Sequence, residues 1–283
     1  MVHREERHIT ARKIRLIFEW REMWEFRDLL ALLVKRDFSA KYKQTVLGPL
    51  WFVFQPLLLT LVFTLVFGVV AKLSTDGIPG PLFYMSGLLW WNYFSATFGS
   101  VSGTFASNMH IFSKVYFPRL VVPLALIISN LLTFFVQLLI FLIFYIYFKI
   151  FTDLGSTLSF SNYGAFIPLL LLQTMVLSLG VGLCFAAATA KYRDLVQVIG
   201  LVSQIWMYAT PIIYPTSKVP ERFQWLIALN PMTGIVEGFR FLLLGTATYN
   251  WQIAVTSLII TAVILLAGLY LFRHVERTVV DFA

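Results

Sequence analysis

Apolar residues in this chain neither alternate nor keep to one helical face. They run in near-continuous stretches separated by short polar segments. Six stretches, roughly 48–72, 83–106, 120–148, 163–190, 196–214 and 251–272, are long enough to cross about 30 Å of bilayer hydrocarbon as helices. The pattern predicts an all-α polytopic membrane protein with six transmembrane helices. Its transmembrane domain covers 48–272, between an N-terminal segment (1–47) and a short tail (273–283). Two regions follow other patterns. In 18–43, Trp20, Met23, Trp24, Leu30, Leu33, Val34 and Phe38 recur at three- and four-residue steps, with charged residues between them. That spacing predicts an N-terminal amphipathic helix, lying in the membrane interface or packed on the bundle.

The second region is 216–245. The stretch "ATPIIYPTSKVPERFQWLIALNP" (209–231) carries prolines at 211, 215, 220 and 231. Proline removes a backbone donor and breaks helices, so the fifth span ends near Pro211 and two short helices follow, over 221–229 and 232–244. Neither can cross alone. A re-entrant helical hairpin entering from the extracytoplasmic side fits both lengths. Glu237 and Arg240 lie three apart on one face of its second arm. They form either a structural ion pair or a polar rim at the exit of a conduit. A structural pair predicts that swapping the two charges restores what either single loss removes.

Composition narrows the class. The chain of 283 residues is 59% hydrophobic, with a mean hydropathy of +0.79, and only 13% of it is charged, against about 25% for soluble domains. The net charge of +8 could suggest a nucleic-acid partner, but its placement explains it better. With six spans, 17 of the 22 Lys and Arg residues fall on one face of the membrane, which predicts cytoplasmic termini. The N-terminal stretch "MVHREERHITARKIR" has no apolar core, so the first span is expected to do the targeting. The single cysteine, Cys184, offers no internal disulfide.

Much chemistry is missing. None of the 16 glycines precedes a lysine, so there is no phosphate loop, and ATP and Mg would have to be bound by a separate chain. The four histidines are scattered, and no metal or cofactor site is expected. Acidic residues are nearly absent from the spans, which argues against a proton relay. Three features remain. The loops "SNMHIFSKVYFPRLVVP" (107–123) and "AKYRDLVQV" (190–198) are short and charged. "LLWWNYFSATF" (88–98) clusters Trp90, Trp91, Tyr93, Phe94 and Phe98, which serve either as membrane belt and core or as the lining of a conduit that stacks on sugar faces. The third feature is the 216–245 hairpin.

Four segments carry a resemblance. "RDFSAKYKQTVLGPLW" (36–51), "KVYFPRLVVPLA" (114–125), "YRDLVQVIGLVSQIWMYATPIIYP" (192–215) and "LNPMTGIVEGFR" (229–240) are similar, in order and spacing, to permease subunits of ABC exporters for cell-envelope polysaccharides: O antigens, teichoic acids and capsules. The resemblance implies a homodimer docked to two ATP-binding cassette subunits in the bacterial cytoplasmic membrane. It implies ATPase-coupling elements in 107–119 and 191–195, with His110, Lys114, Arg119, Arg193 and Asp194 as candidates. It further implies a cytoplasmic gate helix before the first span and an extracytoplasmic gate in the hairpin, with Glu237 and Arg240. Arg36, Lys41 and Lys43 would meet either a lipid pyrophosphate or anionic membrane lipids. Two other classes fit less well. One is an ABC exporter of drugs or small lipids. The other is a membrane transferase, for which Asp37 and Asp194 are the nearest carboxylates, each beside an arginine.

Overall fold

A computed structural model of the chain describes residues 24–42, 48–112, 117–152, 164–192, 194–245 and 250–278. Every regular element among them is helical: α1 (Arg27–Tyr42), α2 (Trp51–Phe63), α3 (Gly80–Ser102), α4 (Thr104–Phe112), α5 (Val121–Phe151), α6 (Ile167–Lys191), α7 (Leu195–Ala209), α8 (Glu221–Leu229), α9 (Pro231–Leu244) and α10 (Trp251–Thr278). A π-helical segment, Thr64–Val70, extends α2 to about the length of a bilayer crossing. By length and apolarity four helices can cross a membrane, or five if α8 and α9 are taken together.

The difference from six apolar stretches has a physical origin in α3 and α7. Helix α3 is the central post, with 16 of its 23 residues buried against α2, α5, α6, α7 and α9. A helix enclosed by protein on all sides need not be uniformly apolar, and α3 carries Gly, Ser, Asn and Thr among its aromatic residues. Helix α7 has 15 residues and ends at Ala209 before the proline-rich turn, so it spans roughly 22 Å. The second apolar stretch also ends earlier than its composition suggests. The α3 helix stops at Ser102, and the start of the following charged loop is the separate helix α4.

Helix α1 packs one face on the bundle. Leu33 is buried against Phe117, Val121, Val122 and Ala125 at the start of α5, while Trp24 and Leu32 stay exposed. Helix α2 is the opposite of α3: Leu58, Leu61, Leu65 and Val69 form a continuous exposed apolar stripe.

Helices α6 and α10 approach backbone to backbone. A Cβ on Gly180 would lie 2.8 Å from the backbone of Leu265, and one on Gly268 would strike the carbonyl of Gly180. Small residues at a crossing let helices touch along their backbones, which is how packing is achieved where lipid supplies no hydrophobic drive. Gly268→Ala should therefore destabilise the detergent-solubilised protein by about 1–3 kcal/mol in a thermal or denaturant melt. Gly200→Ala, where nothing lies within 4 Å of the added carbon, should be neutral or slightly stabilising. Equal melting of both variants with the parent would refute the backbone contact.

Candidate functional site

The two arms predicted over 221–229 and 232–244 are present, and their axes turn by 99° at Asn230. The turn is built locally. Pro231 occupies the first helical position of α9, where a missing N–H costs nothing. Asn230 is the N-cap: its Oδ1 accepts from the Met232 amide at 3.0 Å. The same side chain fastens the turn to the end of α7. Its Oδ1 accepts from Trp206 Nε1 at 2.9 Å, and its Nδ2 donates to the Ala209 carbonyl and to Thr210 Oγ1. Gly245 ends α9 in the left-handed region at φ 70°, a conformation that favours glycine.

The arms differ in surroundings. Helix α8 buries no residue, and Phe223, Trp225 and Leu229 are exposed. Helix α9 buries all its residues but Glu237 and Phe241. Gly234 sits against Ser257 of α10, where a Cβ would come within 2.7 Å of the serine side chain.

Arg240 is 1% exposed and is the anchor of this arm. Its Nε donates to Ser86 Oγ at 3.1 Å. One terminal nitrogen donates to the Pro211 carbonyl at 2.6 Å and to Glu237 Oε1 at 2.9 Å. The other donates to the carbonyls of Ile212 at 3.1 Å and Phe83 at 3.3 Å. A guanidinium has five N–H donors, and each has an acceptor here. The plane lies 3.7 Å from the Phe83 ring centroid, adding a cation–π contact. Glu237 Oε2 accepts from Thr216 Oγ1 at 3.1 Å, and Ser217 Oγ donates to Asp76 Oδ2 at 2.7 Å. The α2–α3 loop, the 211–217 turn and α9 are thus joined in one polar network. It borders a cavity of about 940 Å³ that is also lined by Lys218, Gln224 and Trp251.

The candidate conduit rings are interior. Trp90 packs on Phe134 and Phe239, Phe94 on Trp206 and Phe98, and Phe98 on Phe185. Trp90, Phe94 and Phe98 are fully buried. Trp91 and Tyr93 border a cavity, about 360 Å³ in volume, between α2, α3 and α5. Tyr93 hydroxyl donates to the Ile127 carbonyl at 3.3 Å.

At the other end of the bundle, Arg36 pairs with Asp37 at 2.7 Å and reaches Asn108 Oδ1 on α4 at 3.4 Å. Arg119 donates to the Glu276 carbonyl at 2.7 Å and covers the Phe112 ring, while its backbone amide donates to Glu276 Oε1. Asp194 is exposed at the start of α7. Lys41 lies in the last turn of α1 and His110 in α4, with side chains outside the described atoms. Lys43, Lys114 and Arg193 fall outside the described residues.

Sequence reading missed Asn230, Ser86, Asn108 and Glu276. Asn before Pro at a helix start was a usable signal for Asn230. The others meet partners 72 to 157 positions away, and no local pattern marks them.

A membrane-embedded helical subunit with a bent helix pair pinned by a buried arginine, and no nucleotide motif, defines the class. The chain belongs to the ABC-2 type transporter family, which it matches over residues 28–244. It is 29% identical over 252 residues to the O-antigen export system permease protein RfbA of Klebsiella pneumoniae, covering 88% of this chain and 92% of that one. It is 30% identical over 237 residues to RfbA of Myxococcus xanthus, covering 80% and 83%. To the polysialic acid transport protein KpsM of Escherichia coli it is 24% identical over 208 residues, covering 72% and 77%.

The arginine's surroundings revise the charge-swap expectation. Three of its five acceptors are backbone carbonyls, so a carboxylate at position 240 would face oxygen lone pairs. The swapped double variant should fail as badly as Arg240→Ala, which should cost about 3–5 kcal/mol by stranding buried partners. Glu237→Gln, whose amide oxygen can still accept, should keep most of the folded yield. Size-exclusion profiles and melting curves of the three variants read this directly. A well-folded swap would contradict it.

Proposed function

We propose that this chain is the transmembrane permease subunit of an ATP-driven exporter that moves polyprenol-linked polysaccharide, O antigen foremost, across the bacterial cytoplasmic membrane. The observation that carries this reading is the similarity to permeases of named glycan exporters over 88% of the chain. The arrangement of the helices supports it. Helices α2, α3, α5, α6, α7 and α10 make six crossings, α3 being shielded by the others and α7 completed by the turn after it. The α8–α9 pair is a re-entrant hairpin on the extracytoplasmic side, since arms of about 13 and 21 Å are too short to cross roughly 30 Å. Both termini are cytoplasmic, as the Lys and Arg bias requires. The α1 helix lies at the cytoplasmic interface as a gate.

Two copies form the conduit, each docked to one ATP-binding cassette subunit that binds and hydrolyses MgATP. The partner presses on 107–119 and on the 191–195 turn, where His110, Lys114, Arg119, Arg193 and Asp194 are the candidate contacts. Two links then carry the motion: Arg36 to Asn108 joins α4 to α1, and Arg119 to Glu276 joins the loop after α4 to α10. ATP shifts the gate only by its differential affinity for the closed and open states. Arg36, Lys41 and Lys43 receive the lipid pyrophosphate. The glycan passes weakly held, against aromatic faces. Glu237 and Arg240 hold the outer gate rather than touch the glycan, because the arginine has no donor to spare.

Deleting the gene should remove the polysaccharide from the cell surface and leave lipid-linked glycan inside, restored by the wild-type gene. The purified chain alone should hydrolyse no ATP. Normal surface glycan in the deletion strain, or nucleotide turnover by the isolated chain, would overturn the reading.

A further inference from the structure

We propose that the cavity between α2, α3 and α5 is a subsite for a neutral sugar ring. Its wall combines two chemistries. Gln55, Asn92, Thr133 and Gln137 bring amides and a hydroxyl, and Trp51 and Trp91 bring broad ring faces. No charged side chain lines it. The polar groups are under-used. Asn92 Nδ2 donates to Gln137 Oε1 at 3.4 Å, which leaves Asn92 Oδ1 as a free acceptor and Gln137 Nε2 as a free donor. Gln55 and Thr133 make no side-chain hydrogen bond among the described residues.

These groups sit deep. Asn92 lies near the middle of α3 and Gln137 near the middle of α5. These amides are half-buried or exposed and open toward the cavity, so their unused donors and acceptors are available to an occupant that enters it. The occupant must offer several donors and acceptors, no net charge, and apolar C–H faces for the indoles. A phosphate fails for want of a cation, and an acyl chain leaves every amide unsatisfied. A hydroxylated pyranose meets all three conditions, and about 360 Å³ admits roughly one or two such rings. The cavity also adjoins α1, because Phe38 of α1 stacks on the wall residue Phe52 with ring centroids 6.5 Å apart. A ring held here lies beside the helix that carries Arg36. The subsite rests on the exporter reading for its source of sugar and extends it by naming what the wall selects.

The test is photolabelling of the full-length protein in lipid nanodiscs with an alkyl glucoside bearing a diazirine on the glucose. An alkyl phosphocholine with the same chain and a headgroup diazirine serves as comparison. The glucoside should label peptides within 51–56, 91–96 and 130–137, and excess unlabelled glucoside should compete. Gln137→Leu should lower the labelling about fivefold, as loss of a hydrogen-bonding amide predicts. Gln55→Leu, at an exposed position that cannot disturb the core, should do the same. Equal labelling by the phosphocholine probe would make the cavity a lipid crevice and overturn the proposal, as would labelling unchanged in both variants. The labelling does not depend on export, so the subsite and the exporter reading can fail separately.

Discussion

The end of the molecule that holds α8 and α9 depends on one buried guanidinium. Burying an unpaired charge costs several kcal/mol, so Arg240 is tolerable only because all its donors are met. Its acceptors come from α3, from the turn after α7 and from α9 itself. Removing any of these elements would strand the charge, so the three must form together. This explains why a helix too short to cross can be almost fully buried. Its partners include the backbone carbonyls of the proline-broken turn, which is where membrane proteins face their worst deficit of hydrogen bonds.

The rest of the fold is arranged around that constraint. Helix α3 supplies Ser86 and the Phe83 carbonyl, and it can do so because it is enclosed by its neighbours rather than by lipid. Enclosure in turn requires tight outer packing, met by backbone contact at Gly180 and Gly268. At the opposite end, Arg36 links α1 to α4, and Arg119 links the loop after α4 to α10. The proposed fixed outer anchor and linked inner ends suit a machine driven from the cytoplasmic side.

Much of this was legible in the sequence. The prolines at 211, 215, 220 and 231 placed the broken turn and both short arms within a residue of their observed limits. The spacing of Glu237 and Arg240 foretold their pairing. The serine and carbonyl partners were not legible, because they depend on which loop folds over which helix. The burial of Trp90, Phe94 and Phe98 could not be read either. Aromatic density is the same in a core, a belt or a lining, and only the position of α3 at the centre separates them. The α4 helix straddles the end of the second apolar stretch and the start of the charged loop, so neither pattern marked it as separate; Phe105 and Phe112 anchor it.

Side-specific labelling tests the central claim most directly. Cys184 is the only cysteine, so a cysteine-free background needs one substitution. Single cysteines at Lys218, before α8, and at Gln252, after α9, are both at exposed positions. A membrane-impermeant maleimide added outside spheroplasts should modify both, and neither should react from the cytosolic face of inverted vesicles. Labelling of position 252 from the cytosolic side alone would mean that the α8–α9 pair crosses the membrane, and the account of a pinned re-entrant hairpin would be wrong.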